Sequence, residues 1–114
     1  MAVLTEKIGD VVVVIPEGML KGDTETDLLQ YELLRQLNGG QKKILLDLRN
    51  TTHLSSMAIG ILARIHTSAA TREAHFHVCN VERRIESTLA IVRLVNVLNV
   101  HATRDDALKV LAAA

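Results

Sequence analysis

The chain has 114 residues, enough for one domain of ordinary size and too few for two. Hydrophobic residues make up 48% and charged residues 23%, a balance that builds a core and argues against a disordered chain. Thirteen Lys and Arg offset thirteen Asp and Glu, so the usual electrostatic footprint of a nucleic-acid binder is missing. Aromatic residues are only 2%, namely Tyr31 and Phe76, which argues against base-stacking platforms and sugar sites. The apolar run Val11 to Ile15, which no other exceeds, is far shorter than the ~20 residues that a membrane helix needs. Glu6, Lys7 and Asp10 near the start do not form a signal-peptide pattern. Cys79 is alone, so no intrachain disulfide is expected, and a reducing, cytoplasmic location is the default.

In chain order, Thr5 to Ile8 reads as an edge strand followed by a Gly9-Asp10 turn. Val11 to Ile15 is β-branched throughout and reads as a buried strand stopped by Pro16. Gly18 to Asp23 is expected as a loop, with Asp23 or Thr24 capping a helix. Leu29, Leu33 and Leu37 recur at helical spacing, and Asn38-Gly39-Gly40 ends that helix. Ile44 to Leu48 is the next strand, and its apolar character suits a central parallel position. A polar loop follows from Leu48 to Ser55. Ser56 to Ala70 is a second helix, His75 to Cys79 a strand, and Glu82 to Leu94 a third helix. Leu98 to His101 is the last strand, and Thr103 caps a final helix with Asp105 and Asp106 in its first turn. The order β-β-α-β-α-β-α-β-α implies a mostly parallel sheet with right-handed crossovers. With so short a chain, the helices are expected mainly on one face.

Few residues carry a chemical signature. His75 and His77 are two apart on a strand and share a face, yet no third ligand stands at a diagnostic spacing. They are expected as two partly exposed imidazoles. Cys79 reads as a small core residue. Gly39-Gly40 precedes a strand rather than a helix, so it is no phosphate loop. Ser55 and Ser56 lack a nucleophile-elbow frame, and a hydrolase using either with His53 has no motif behind it. The informative stretch is Asp47 to Leu62, where a strand ends, a polar loop follows and Ser55-Ser56 opens an apolar helix. One serine there can serve as an N-cap. The same position also favours a phosphate, because the helix dipole and free N–H groups attract negative charge.

This stretch resembles the STAS domain, in particular the bacterial anti-sigma factor antagonists. Their pattern is D-L-x(6)-D-S-[SA]-G-L-G, with a phosphorylatable Ser after the second Asp. Asp47-Leu48 begins the match, Ser56 follows at the family's spacing, and Ile59-Gly60 stands for Leu-Gly. Gly18-Met19-Leu20 with Thr24, and the tail from Leu98 to Leu108, extend the resemblance over nearly the whole chain. Four positions depart from it. Ser55 replaces Asp, Met57 replaces Ser or Ala, Ala58 replaces Gly, and Lys21 replaces an Asp before the first helix.

The resemblance implies a single STAS-like α/β domain over residues 1–114, with about four helices around a mostly parallel sheet. It also implies a non-enzymatic regulator without cofactor or metal, acting as an anti-sigma factor antagonist. The expected partner is an anti-sigma factor that is also a serine kinase, to which ATP belongs, and Ser56 would be the phosphorylation switch. Lys21, Thr24, Ser55, Ser56, Met57 and Ile59 would form the partner-binding face. No nucleic acid or membrane insertion is expected, and homodimerisation is left open. The alternative is a STAS scaffold of a larger signalling assembly or transporter complex, without a phosphoswitch.

Overall fold

Val11 to Ile15 offers an apolar side chain to both faces of whatever sheet contains it, so both faces must be covered. The computed structural model, which describes residues 3–21, 23–81 and 98–114, meets that demand. Strand β2 (Val11–Pro16) lies inside a five-stranded sheet with β1 (Val3–Ile8), β4 (Lys43–Asp47), β6 (His75–Cys79) and β7 (Val100–His101). The spatial order is β1-β2-β4-β6-β7. Only β1 runs antiparallel to its neighbour, joined by the turn at Gly9, whose φ of 60° suits glycine. The other pairs are parallel, with Val13 opposite Leu45, Leu46 opposite Val78 and Cys79 opposite His101.

Alternation along the strands divides the core in two. Val12, Val14, Ile44, Leu46, Phe76 and Val78 face helices α1 (Thr24–Asn38) and α2 (Ser56–Thr71). Those helices contribute Leu29, Leu33 and Leu37, and Ile59, Leu62, Ile65 and Ala69. Val11, Val13, Ile15, Leu45 and Cys79 face the other way, under Ala107 and Leu111 of α3 (Arg104–Ala112). Two of the three described helices therefore share one face, as the sequence suggests. The expected third helix, Glu82 to Leu94, lies outside the described residues.

Two stretches expected as loops are strands. Gly18–Leu20 forms β3 and Thr51–Leu54 forms β5, and they pair in parallel as a separate two-stranded sheet. The strand His75–Cys79 has the expected bounds, and those of the other described elements shift by no more than two residues. Asp23, not Thr24, caps α1, its carboxylate accepting from the Glu25 N–H at 3.3 Å.

Leu62 is fully buried on the α2 face that meets the sheet, in one cluster with Leu46. Leu62→Ala should destabilise the domain by about 2–5 kcal/mol in urea unfolding. A loss below about 0.5 kcal/mol, the scale of ordinary surface changes, would place Leu62 outside the core.

Candidate functional face

The face is assembled where β2 and β4 end. Asp47, the last residue of β4, is fully buried, and its Oδ1 accepts from the Arg49 N–H and the Asn80 side-chain amide, each at 3.0 Å. The Arg49 guanidinium adds a longer contact, 3.7 Å from Oδ2. These bonds fix the turn after β4, which closes with the Thr51 N–H donating to Leu48 O at 3.0 Å. Thr51 also donates its hydroxyl to Pro16 O at 3.3 Å, tying the turn to the end of β2.

From there the two segments zip together. The Gly18 N–H donates to Asn50 O at 2.9 Å, and the Ser55 N–H donates to Leu20 O at 2.8 Å. Between these bonds Leu20 and Leu54 point into the core, while Met19 and His53 point out. The strand period of two does this sorting. The pairing brings Leu20, the residue before Lys21, onto Ser55, although the two are far apart in sequence.

Ser55 and Ser56 have different roles. Ser55 has extended backbone angles, and its Oγ accepts from the Ala58 N–H at 3.1 Å, so it is the N-cap of α2. Ser56 is the first helical residue, exposed, and its hydroxyl makes no hydrogen bond among the described residues. Met57 is 62% exposed and Met19 41%, giving the face an apolar component. Lys21 and Thr24 are exposed, and no carboxylate pairs with Lys21 among the described residues. Ile59 is 2% exposed and sits in the core beneath. It supports the face and offers no surface of its own. Gly60, one turn beyond Ser56, is exposed, and a Cβ built there meets nothing within 4 Å.

Other chemistry expected from the sequence is placed elsewhere. His77 is buried rather than partly exposed, because its Nδ1 lies 2.7 Å from His101 Nε2, a partner no spacing rule would find. His75, on the same face of β6, is exposed. Burial pushes the Cys79 thiol up to about 12, with the nearby Asp47 charge adding to it, so it is an inert core residue. Among the described residues no three His, Cys, Asp or Glu are grouped as a metal site, and no helix is long and apolar enough to cross a membrane. The β3–β5 pairing is not foreseeable from local sequence pattern. The segment Thr51 to Leu54 carries little signal, since its first three residues are polar and only its two ends are buried.

A family model described as STAS domain matches residues 2–107, and the chain belongs to that family. Among solved structures, a Thermotoga maritima protein assigned to the anti-sigma factor antagonists superposes with a TM-score of 0.89 at 21% identity, covering 96% of this chain and 94% of that one. An anti-sigma factor antagonist from Mycobacterium paratuberculosis gives 0.85 at 21% identity, with 97% and 93% covered. The Bacillus cell fate determinant SpoIIAA in its phosphorylated form gives 0.74 at 14% identity, with 95% and 97% covered. At these identities the likeness is one of fold. A search of the curated proteins gave no match.

The two serines can be told apart by stability. Ser55→Ala should cost about 1 kcal/mol through loss of the cap. Ser56→Ala should stay within about 0.5 kcal/mol of the parent protein in the same urea titration.

Proposed function

We propose that this STAS domain is a non-enzymatic anti-sigma factor antagonist whose partner-binding face comprises Lys21, Thr24, Ser55, Ser56 and Met57, supported from below by Ile59. The partner is an anti-sigma factor that is also a serine kinase, and Ser56 is the residue it modifies. One observation carries this reading: the Ser56 hydroxyl is exposed and unengaged at the start of α2, while its neighbour does the capping. Thr51, near the loop, is unsuitable, since it is buried and already donates to Pro16 O. The fold likeness to antagonists from two bacteria, and to a phosphorylated protein from a third, supports the same class.

Phosphorylation would place about two negative charges in the middle of that face. Beside the exposed Met19 and Met57, such a charge opposes a partially apolar contact, because a partner would have to desolvate it. The fold itself need not change. A dianion at the first turn of α2 meets free backbone N–H groups and the positive end of the helix dipole.

Incubation with the cognate kinase and ATP, followed by peptide mapping, should place phosphate on Ser56. Ser56→Asp should lower partner affinity tenfold or more, about 1.4 kcal/mol, with the melting temperature nearly unchanged. Since Asp carries about one charge against nearly two for phosphate, the purified phosphoprotein belongs in the same titration. Label confined to Ser55, or equal binding by both forms, would overturn the switch. Equal binding would leave the scaffold reading in its place.

A further inference from the structure

The His77–His101 pair takes no part in the face described above. It lies on the side of the sheet that α3 covers, because His77, Cys79 and His101 share the strand face opposite to Phe76 and Val78. With the ring nitrogens 2.7 Å apart, ring planes within 8° and centroids 5.0 Å apart, the imidazoles meet edge to edge. That is the geometry of a hydrogen bond between rings, not of face-to-face stacking.

The position of His101 gives the bond mechanical meaning. Strand β7 has only two residues and forms the edge of the sheet. Ala102 and Thr103 alone separate it from α3, whose Ala107 and Leu111 close the second core cluster over Val11, Val13, Ile15 and Leu45. A bond holding His101 to His77 therefore holds the strand that leads into that cover. We propose that the His77–His101 bond is a proton-sensitive latch, which keeps β7 and α3 on the sheet and opens when the pair has gained two protons.

Proton counting sets the rule. In the neutral pair, one of the two facing nitrogens carries hydrogen and the other accepts. A first added proton goes to an outward nitrogen, and the bond survives as imidazolium to imidazole. A second leaves hydrogen on both facing nitrogens, and two N–H groups cannot oppose each other at this distance. The buried ring is the one that resists. Burial holds His77 down at about 4, helped by charge on His101, His75 and His66. Once the strand is released, His77 is an ordinary imidazole titrating near ~6.5. The latch is therefore at full strength above that value and weakens about tenfold per pH unit as pH falls from ~6.5 towards 4.

Among the described residues, charges on the neighbouring elements do not blunt this. On β4, Lys43 pairs with Asp10 at 2.9 Å, and Asp47 is held by Arg49 and Asn80. On α3, Arg104 pairs with Glu6, while Asp105, Asp106 and Lys109 are exposed. His75 on β6 and His66 on α2 remain, and their charge acts on His77 in the same direction as burial.

Hydrogen exchange of the full chain, corrected for intrinsic rates, tests this between pH 7 and 4.5. Opening of the amides from 100 to 112 should rise about tenfold per unit below pH 6.5, while those of β2 and β4 stay flat. His77→Phe should remove the slope. If that variant does not fold, His101→Gln serves, because the amide oxygen can accept from a protonated His77. A flat profile in the parent protein, a slope that persists in the variant, or equal opening of β2 and β4 would overturn the latch.

Discussion

A strand buried on both faces can present chemistry to solvent only at its ends. Here β2 and β4 are such strands, and their parallel pairing sends both chain ends out at the same edge. Everything that follows at that edge is constrained by it. The segments leaving β2 and β4 start side by side, so β3 and β5 can pair, and that pairing fixes where α1 and α2 begin. The two helices then lie on one face with their N-termini at the exit edge, and Ser56 is delivered there at the start of α2. This is the general behaviour of open parallel sheets, in which the functional surface gathers beyond the carboxyl ends of the strands.

Much of that frame is legible in the residues. The unbroken run Val11 to Ile15 announces a doubly covered strand, and the Leu29-Leu33-Leu37 stripe announces α1. What the sequence hides is pairing between distant segments. Gly18 to Leu20 is too short to show a period, and Thr51 to Leu54 reads as polar because its two middle residues face solvent. Each becomes a strand only because the other is present, a long-range effect that local patterning does not encode. His77 fails to be legible for the same reason: its partner is 24 residues away on another strand. At the candidate face, the serine pair was visible in the sequence, but the division of labour between them needed the backbone angles at Ser55. Ile59 shows the converse limit, since a motif position does not say which side of the helix it occupies.

The chain as a whole is neutral, yet its charge is not evenly spread. At the exit edge, Lys21 stands unpaired by any described carboxylate, and the N-terminus of α2, with no acidic residue in its first turn, adds the positive end of its dipole. An anion there is compensated within the molecule. A charge change on Ser56 is therefore felt more by a docked protein than by the domain that carries it, as the proposed switch requires.

Gly60 adds a consequence for shape. A glycine inside a helix costs about 1 kcal/mol relative to alanine, and internal packing gives no reason for it, since a methyl group would point into open space. What the missing side chain does leave is a bare stretch of main chain one turn from Ser56. The surface dips there to the thickness of the helix backbone. A docking chain laid across Ser56 can sink into that notch and approach α2 more closely than any side chain would allow, so the contour of the face is set as much by an absent atom as by those present.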